Sequence, residues 1–386
     1  MTAKFSSEDQ QFMQRALQLA TRGRWTAAPN PMVGCVIVKD GKVIGEGYHQ
    51  KAGEGHAEVN AFAACAESAV GSTLYVTLEP CSHFGKTPPC ALKIIEHRVK
   101  KVVIAMRDPN PLVAGQGIEL LQQAGIEVVV GLLEAQAEAL NKGFLKRMRT
   151  GRPFVQLKMA MTIDGKTATA SGESKWITGE QARAEVQDYR ACAGAILSAS
   201  GTVLVDDPLL NVRWQQLPHA VQRDYPEAQI RQPVRVVMDS KHRIRPYHQL
   251  FSVESAVWLV GSKDKMRDLA AFPDFVEAIY LDPQQPQLSA LMDELGKRQI
   301  NILWIEAGAN LAGSLISAGL VDELIVYIAP KLLGDQARGL CHMPDLHRLA
   351  DAPQWELVGS DAVGEDFKMV YRPKSSANKQ NGVETC

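Results

Sequence analysis

Two cysteines lie nine positions apart in the segment LEPCSHFGKTPPC, which runs from Leu78 to Cys90. Each of them, Cys81 and Cys90, directly follows a proline. About 20 residues upstream, the chain reads His56-Ala57-Glu58. Three explanations have to be weighed for an imidazole, a carboxylate and two thiols in one short stretch: a disulfide, a metal site and a coincidence of composition.

The cysteine usage argues against a disulfide. The chain has seven cysteines, an odd number, spread from Cys35 to Cys386. Its N-terminus, MTAKFSSEDQQFMQ, has no apolar segment of the kind that a secretory signal contains. No stretch approaches the roughly 18 apolar residues that cross a membrane. We therefore predict a cytoplasmic protein. Because disulfides are rare in the cytoplasm, we interpret Cys81 and Cys90 as metal-binding thiolates.

The donor types favour zinc. One histidine and two cysteines suit Zn²⁺, and three protein ligands leave a fourth position for water, as in catalytic zinc sites. We predict that His56, Cys81 and Cys90 bind one zinc ion. Glu58 follows the first ligand by two positions, and we predict that it carries protons without binding the metal. The pattern His-x-Glu followed by Pro-Cys is typical of zinc nucleobase deaminases.

Two features keep other interpretations open at this point. Eight residues separate Cys81 from Cys90, whereas the usual deaminase pattern has two. A structural zinc site is the alternative if Cys35 or His83 supplies a fourth ligand, although Glu58 then has no role.

The composition is that of an ordinary globular protein with two domains. The chain has 386 residues, more than a single hydrophobic core usually serves. It is 46% hydrophobic and 22% charged. With 42 basic and 43 acidic side chains, the net charge of −1 gives no electrostatic reason to expect a nucleic-acid partner.

In the first half, helix and strand patterns alternate, which predicts a layered α/β domain. Ser7 to Gln10 matches a capping box at the start of the first helix, and Asp40-Gly41 marks a hairpin turn. The amphipathic segment from Glu134 to Arg149 predicts one long helix, which ends where Thr150-Gly151-Arg152-Pro153 breaks the pattern. The other predicted elements are helices at 56–69, 91–97 and 117–124, the hairpin runs at 33–38 and 42–48, and strands at 73–77, 101–106 and 126–130.

We place a domain boundary at that break, which gives a first domain of residues 1–150 and a second of residues 151–373. The tail, 374–386, has few apolar residues that could dock it, and we expect it to be disordered. In the second domain, short runs rich in Val and Ile, with helices between several of them, predict a mostly parallel sheet covered on both faces. Its predicted strands are 154–159, 195–197, 234–239, 256–260, 278–281, 300–305 and 324–329.

The longest motifs closely resemble one family, the bifunctional riboflavin-biosynthesis deaminase/reductases. The resemblance runs from about Phe12 to about Arg372. It rests on NPMVGCVIV, GEGYHQKAGEGHAE and TLEPCSHFGKTPPC in the first half, and on QLKMAMTIDGK, SGESKWITG, LVDDPLLNVR and WIEAG in the second. It implies a cytidine-deaminase-like α/β/α domain followed by a dihydrofolate-reductase-like α/β domain. It also implies one zinc ion in the deaminase domain and NADPH in the reductase domain.

The resemblance further implies two consecutive reactions on a phosphoribosylaminopyrimidine. The diaminopyrimidinone is deaminated to the corresponding uracil, and the ribosyl group is then reduced to a ribityl chain. Family members use the equivalents of Asn30, His49, His83 and Lys86 around the deaminase substrate. Lys86 and a protonated His83 are expected to meet the substrate phosphate, which gives the wide cysteine spacing a purpose. Without the resemblance, His49 and His83 would be interpreted as ordinary loop histidines.

For the reductase domain, the resemblance implies a substrate set and a cofactor set. The substrate set is Lys158, Ser174, Arg190, Leu210, Arg213 and Glu306. The NADPH set is Ala160, Trp176, Thr202, Asp206, Ser240, Gly308, Ala309, Asn310, Leu311, Ala312, Gly313 and Ser314. Lys158 and Asp206 are the candidate catalytic residues for ring opening and proton transfer, and the sequence does not show which one is the acid. Arg190 and Arg213 suit phosphate forks, with surface salt bridges as the alternative.

Two other functions remain as alternatives. One is a tRNA or nucleoside deaminase fused to an unrelated reductase, and the other is a structural zinc module joined to an NADP-sensing domain. The near-neutral charge and the insert that carries Lys86 argue against tRNA. We expect a small-molecule substrate, no nucleic-acid or membrane partner, and a homo-oligomer, a dimer or larger.

Overall fold

The computed structural model describes residues 5–82, 88–110 and 114–374. The chain forms two compact units, Met1–Pro153 with Gly296–Asn301, and Phe154–Leu295 with Ile302–Cys386. The domain limits drawn from the sequence, 1–150 and 151–373, stay a prediction. So does the disordered tail, which lies outside the described residues from position 375 onward. In the described parts, no helix has both the length and the hydropathy needed to cross a bilayer.

The first unit is a five-stranded sheet with helices around it. Its elements are α1 (Ser7–Thr21), β1 (Gly34–Lys39), β2 (Lys42–Tyr48), α2 (Ala57–Ala63), β3 (Thr73–Leu78), α3 (Cys90–Glu96), β4 (Lys101–Met106), α4 (Gln116–Gln123), β5 (Glu127–Val130), α5 (Glu134–Leu140) and α6 (Lys142–Thr150). The strand order is β2-β1-β3-β4-β5. Strand β1 is antiparallel to β2 and β3, whereas β3, β4 and β5 run parallel.

Helices cover both faces of this sheet. A Cβ at Gly34 would lie 1.9 Å from the carbonyl oxygen of Ala16 in α1, and a Cβ at Gly47 would lie 2.3 Å from the backbone nitrogen of Ala61 in α2. Because Gly47 pairs with Cys35, the residue after Gly34, the two glycines face opposite sides of the sheet. The missing side chains therefore let α1 and α2 approach the sheet from opposite sides, which gives the predicted α/β/α layering.

Two local predictions for the first unit are wrong in their limits. The capping box is formed by Ser6 and Asp9, one residue before the predicted one. The predicted helix at 56–69 is shorter, since α2 ends at Ala63. The predicted hairpin turn is confirmed, because Asp40 and Gly41 have φ angles of 48° and 74°, as a tight turn between β1 and β2 requires.

The predicted long helix from Glu134 to Arg149 is also wrong, because it breaks at Asn141 into α5 and α6. The buried Asn141 side chain accepts a hydrogen bond from the Met32 backbone nitrogen at 2.8 Å and donates one to the Met32 carbonyl at 2.9 Å. The side chain thus pairs with the backbone of Met32 as a strand would. This long-range pairing accompanies a break that helical periodicity does not predict.

The second unit is built on a nine-stranded sheet. Its elements are β6 (Phe154–Thr162), β7 (Lys166–Ala168), α7 (Glu180–Cys192), β8 (Ala195–Ala199), α8 (Ser200–Asp206), α9 (His219–Asp224), β9 (Val234–Met238), β10 (Val257–Ser262), β11 (Val276–Leu281), α10 (Gln287–Lys297), β12 (Ile302–Glu306), α11 (Ala309–Ser317), β13 (Glu323–Ala329), β14 (Arg338–Gly339), β15 (Trp355–Val363) and β16 (Asp366–Pro373). The strand order is β11-β10-β9-β8-β12-β6-β13-β16-β15, and β7 pairs with β14 in a separate ribbon.

The seven strands from β11 to β13 are parallel, which confirms the predicted mostly parallel sheet. Each of the seven predicted strands of this half overlaps one of these seven. The antiparallel hairpin of β15 and β16 beside β13 was not predicted. Since β12 lies between β8 and β6, the carboxyl ends of these central strands meet at one edge, where ligands of open α/β sheets bind.

Candidate active sites

His56, Cys81 and Cys90 come together beside the parallel strands of the first unit. His56 directly precedes α2, Cys90 is the first residue of α3, and Cys81 follows the end of β3 by three positions. Their possible ligand atoms all lie within 4.8 Å of one another. The Nδ1 atom of His56 is 3.3 Å from the Cys90 sulfur and 3.5 Å from the Cys81 sulfur.

These distances fit a tetrahedral zinc site. With zinc bonds of roughly 2.0–2.1 Å to nitrogen and 2.3 Å to sulfur, tetrahedral angles place the nitrogen about 3.5 Å from each sulfur. Among the described residues, no further Cys, His, Asp or Glu belongs to this group of donors. Cys35, the candidate fourth ligand, is therefore not brought to the site, and His83 lies outside the described residues, as does Lys86.

The protonation of the cluster suits metal binding and proton transfer. Hydrogen bonding from Cys90 lowers the pKa of the Cys81 thiol to about 4, against the opposing effect of burial, so Cys81 is a thiolate at neutral pH. Glu58 lies in α2 with only 3% of its surface exposed. Its burial, followed by the negative charge of Cys81, raises the pKa of Glu58 to about 7. A carboxyl group that titrates near neutral pH is suited to passing a proton in both directions.

Asn30 and His49 lie next to this cluster, as predicted for a substrate site. The Asn30 side-chain nitrogen is 3.0 Å from Nε2 of His49, and Nδ1 of His49 is 3.1 Å from the Gly55 carbonyl oxygen. These partners assign the proton of His49 to Nδ1, because a carbonyl only accepts. Burial lowers the pKa of His49, which keeps the ring neutral. The His49 ring meets the His56 ring edge-on at 5.5 Å between centroids.

Two asparagines that the sequence did not single out hold the loop that carries Asn30. Asn141 pairs with the backbone of Met32, two residues after Asn30. Asn301 donates a hydrogen bond of 2.8 Å to the carbonyl oxygen of Pro29, directly before Asn30. No local pattern identifies these partners, because both lie more than 100 positions away in the chain.

Glu79 is a further residue to which the sequence assigned no role. It directly follows β3, and its carboxylate is buried, with 3% of the residue exposed. The carboxylate accepts hydrogen bonds from the backbone nitrogens of Asp108, Gly115, Gly117 and Ile118 at 3.1–3.4 Å. The only signal in the sequence was an acidic residue at a strand end, directly before Pro80 and Cys81.

In the second unit, three charged residues of the predicted substrate site come together. Glu306 at the end of β12 pairs in register with Lys158 on β6. The Nε and Nη2 atoms of Arg190 donate to the two carboxylate oxygens of Glu306 at 2.6 and 2.7 Å. The Trp304 indole donates to the same carboxylate at 2.9 Å. Burial alone would raise the pKa of Glu306, but the charges of Arg190 and Lys158 and the hydrogen bonds from Arg190 and Trp304 together outweigh it and bring the pKa to about 2.

The predicted phosphate forks differ in their surroundings. The guanidinium of Arg190 is buried, and two of its nitrogens pair with Glu306. The third nitrogen, Nη1, donates to the Asn211 carbonyl at 2.9 Å. All three nitrogens of Arg190 therefore bond to groups of the protein. Arg213 is partly buried and donates through Nε to the Gln216 side chain at 2.6 Å. Burial lowers the pKa of Lys158, an effect that Glu306 opposes and Arg190 supports.

Several residues of the predicted NADPH set gather at the carboxyl edge of the sheet. Ala160 lies in β6, Thr202 and Asp206 lie in α8 after β8, and Ser240 follows β9. Gly308 caps α11 two positions after the end of β12, and a Cβ there would meet no atom within 4 Å. The edge therefore offers an open helix start beside neighbouring strand ends, which suits a phosphate group.

Three other residues of the predicted substrate and cofactor sets lie outside these strands. Trp176 is 67% exposed with the Arg183 guanidinium 4.4 Å from its ring centre, whereas Leu210 is buried. Ser174, which precedes Trp176 by two positions, is partly buried. These three residues lie outside β6, which carries Ala160, and outside the segments directly after β8 and β9, which carry Thr202 and Ser240.

Within α11, some of the predicted cofactor residues pack inside the unit. A Cβ at Gly313 would lie 1.9 Å from the carbonyl oxygen of His342, so this glycine is required for close packing. Ala312 is fully buried, and the Ser314 hydroxyl donates to the Asn310 carbonyl at 3.0 Å. Ala309 and Leu311 are partly buried, whereas Gly308, Asn310 and Ser314 are exposed.

The sequence matches two known families and several curated proteins. Residues 153–369 match the family described as the RibD C-terminal domain, and residues 6–106 match the zinc-binding region of cytidine and deoxycytidylate deaminases. The riboflavin biosynthesis protein RibD of Haemophilus influenzae is 61% identical over 371 residues, which cover 96% of this chain and 99% of that protein. This chain belongs to the RibD family. The RibD of Escherichia coli is 54% identical over 361 residues, which cover 93% of this chain and 98% of that protein.

Solved structures of the RibD family have the same fold. Acinetobacter baumannii RibD (form 1) is 44% identical, covers 95% of this chain and 99% of its own length, and superimposes with a TM-score of 0.88. A Thermotoga maritima diaminohydroxyphosphoribosylaminopyrimidine deaminase/5-amino-6-(5-phosphoribosylamino)uracil reductase is 34% identical, with the same coverage and a TM-score of 0.84. The predicted fold class, a deaminase domain followed by a reductase domain, is confirmed.

Membership of the RibD family makes this chain an enzyme of riboflavin biosynthesis that carries a deaminase and a reductase. The alternative of an unrelated reductase is wrong, because residues 153–369 match the reductase domain of the same family. The zinc-binding region at residues 6–106 contains His56, Cys81 and Cys90.

Proposed function

We propose that this chain catalyses two consecutive steps of riboflavin biosynthesis. In the first, 2,5-diamino-6-(5-phosphoribosylamino)pyrimidin-4-one is hydrolysed to 5-amino-6-(5-phosphoribosylamino)uracil and ammonia. In the second, NADPH reduces the ribosyl group of that uracil to a ribityl chain. The observation that carries the proposal is the donor cluster of His56, Cys81 and Cys90 beside buried Glu58, in a chain of the RibD family.

His56, Cys81 and Cys90 would hold one zinc ion, since their spacing suits its preferred bond lengths. When bound, Zn²⁺ supplies the Lewis acidity that makes a water molecule nucleophilic near neutral pH. Glu58 takes a proton from the attacking water on its carboxylate and returns it to the departing ammonia. Its burial, which disfavours the charged carboxylate and so raises the pKa, supports the return of the proton.

Asn30 and His49 would orient the pyrimidine. Neutral His49 accepts a hydrogen bond from the Asn30 side-chain nitrogen. This bond fixes the orientation of the Asn30 amide, with its nitrogen towards His49. The Asn30 oxygen is then the acceptor for a ring N–H or amine of the substrate. His83 and Lys86 are proposed to bind the substrate phosphate, and both lie outside the described residues.

In the reductase, we assign proton transfer at the ribose to Lys158 and Asp206. Lys158 lies beside Glu306 and Arg190, and its pKa is lowered by burial, which brings its Nζ closer to exchanging a proton at neutral pH. NADPH supplies the hydride, and the start of α11 at Gly308, with Thr202 and Ser240, would bind it. Arg213 is the better candidate for the substrate phosphate, because Glu306 occupies Arg190.

We also propose that the enzyme works in the cytoplasm as a homo-oligomer, a dimer or larger. None of the described cysteines forms a disulfide, as expected in a reducing compartment. On the outer hairpin of the second sheet, Leu357, Val358 and Phe367 are 44–48% exposed, and β15 is an edge strand. Light scattering on the purified protein measures the molar mass, and a mass of one chain would contradict the oligomer.

A coupled assay tests the two reactions together. Purified protein loaded with zinc is given the diaminopyrimidine phosphate, and released ammonia is measured. NADPH is then added, and its loss of absorbance is followed. We expect ammonia release first and NADPH consumption only after deamination. Absence of ammonia would contradict the deaminase assignment, and ammonia without NADPH consumption would contradict the reductase assignment.

A further inference from the structure

The segment from Gly115 to Ile118, called the α4 turn here, lies against the residues on both sides of Cys81. On the near side of Cys81, the Glu79 carboxylate accepts from Gly115 and Gly117 at 3.1 Å each and from Ile118 at 3.4 Å. A fourth bond, from the Asp108 nitrogen at 3.2 Å, ties the chain after β4 to the same carboxylate. A single buried carboxylate thus accepts hydrogen bonds from four backbone N–H groups.

The α4 turn also makes a close contact with Pro80 and a bond to Ser82. A Cβ at Gly117 would lie 2.0 Å from the Pro80 carbonyl oxygen. Because this distance is too short for two non-bonded atoms, the α4 turn or the Pro80 backbone would have to move. On the far side of Cys81, the Ser82 hydroxyl donates to the Gln116 side chain at 3.3 Å. Residues 79, 80 and 82 are therefore all held by this turn, and Cys81 lies between them.

We propose that Glu79 is a positioning residue for the metal centre: it fixes the α4 turn, and the turn fixes the Cys81 sulfur where zinc requires it. This inference rests on the proposed zinc site. The buried carboxylate is stabilised by the four N–H groups that it accepts. A glutamine of the same shape would turn one of the two oxygens into a donor that faces backbone donors, so half of these bonds would be lost.

The direct test compares the zinc affinity of Glu79→Gln with that of the wild type, by competition with a chromophoric chelator. Partners that orient metal ligands typically change affinity by 10–100-fold when they are replaced, and we expect a weakening of about that size. Thermal unfolding of the zinc-free proteins is measured in parallel. A role confined to overall stability would lower the unfolding temperature and leave the zinc dissociation constant unchanged, and that result would overturn the inference.

Glu323→Gln is the matched control. Glu323 is another buried carboxylate, in the second unit, and it accepts from the Gln156 side chain at 2.8 Å and from Arg372 at 2.9 Å. We expect this variant to unfold at a lower temperature with an unchanged zinc dissociation constant. If it weakened zinc binding as much as Glu79→Gln, loss of stability would explain both results and the inference would be overturned.

A second pair of variants covers the case that Glu79→Gln does not fold. Gly117→Ala places a methyl group against the Pro80 carbonyl, and we expect it to weaken zinc binding about as much as Glu79→Gln. Gly125→Ala, at the other end of α4, introduces strain at a φ of 81° but meets no atom within 4 Å. It should retain wild-type zinc affinity.

The outcomes separate this inference from the proposed function. Wild-type protein that binds no zinc would contradict the proposed function together with the inference. Wild-type protein that binds zinc, with Gly117→Ala of equal affinity, would contradict the inference alone.

Discussion

At the scale of single residues, chemistry could be predicted where residue type alone restricts the role. His56, Cys81 and Cys90 were found from their donor atoms and their context, and the structure places those atoms within 4.8 Å of one another. Glu79 and Asn141 could not be found in this way, because they act through hydrogen bonds to backbone groups elsewhere in the chain. Backbone donors and acceptors occur at every position, so the sequence does not mark them.

The role of Glu58 is tested by Glu58→Gln. We expect kcat for ammonia release to fall by about 10²–10⁴-fold, because the amide cannot carry the proton from water to ammonia. Zinc content should stay at the wild-type level, since Glu58 is outside the donor group. Glu67→Gln, at a side chain that is 57% exposed, serves as the control and should behave as the wild type. A Glu58→Gln protein with near-normal turnover would refute the assignment.

The ion pair of Arg190 and Glu306 predicts a pH dependence of stability. The pKa of Glu306 is about 2 in the folded protein, below its ordinary value of 4.5. The group therefore stabilises the fold above about pH 4.5, and this contribution is lost as the pH falls from there towards 2. At neutral pH, Glu306→Gln leaves Arg190 buried without its partner charge, and we expect a loss of about 3–5 kcal/mol in the free energy of unfolding.

Urea unfolding of the wild type and Glu306→Gln between neutral pH and the lowest pH at which both fold provides the measurement. The difference between the two proteins should shrink as the pH falls below about 4.5, because only the wild type loses the carboxylate. Asp351→Asn removes an exposed pair with Arg348 and should leave stability nearly unchanged at every pH, because solvent screens such pairs. A difference between wild type and Glu306→Gln that is independent of pH would contradict the ion-pair account.

At the scale of helices and strands, the sequence predicted where elements occur better than where they end. The first helix is capped by Ser6 because Asp9 accepts from the Ser6 backbone nitrogen and from the Tyr75 hydroxyl, at 2.9 and 2.7 Å. The Tyr75 contact comes from β3, so the local motif alone could not choose between overlapping caps. The break at Asn141 has the same origin, a partner distant in sequence that competes with helical periodicity.

The break between α5 and α6 gives a prediction for Asn141→Ala. The Met32 N–H and C=O lose their hydrogen bonds to Asn141, and because Met32 is only partly buried we expect the free energy of unfolding to fall by about 1 kcal/mol for each group. Because Met32 follows Asn30 by two positions, KM of the deaminase should rise as well. Asn141→Asp keeps an acceptor for the Met32 nitrogen and should show intermediate effects. Equal stability and KM in all three proteins would contradict the role given to Asn141.

At the scale of the whole molecule, alternation of helices and strands was sufficient to predict two α/β regions and a mostly parallel second sheet. The hairpin of β15 and β16 was not predicted, because six of the nine residues of β15 are exposed and show no regular apolar alternation. Burial on one face is the signal by which sequence patterns reveal strands, and this edge strand lacks it.

Because the two candidate sites are built from different compact units, they predict the effect of metal removal. The donor cluster belongs to the first compact unit, whereas Lys158, Arg190 and Glu306 belong to the second. Treatment with a chelator should abolish ammonia release. The same protein should still consume NADPH when it is supplied directly with the aminouracil product. Parallel loss of both activities, restored together by zinc, would contradict this independence.

The discontinuity of the first unit bears on how the enzyme can be divided by truncation. Gly296–Asn301 belong to that unit, and Asn301 holds the Pro29 carbonyl next to Asn30. A truncated polypeptide that stops at Pro153 would contain every predicted metal ligand and yet lack this anchor for the substrate loop. A free-standing deaminase made from this gene would therefore need a substitute for one amide group that is encoded almost 150 codons downstream.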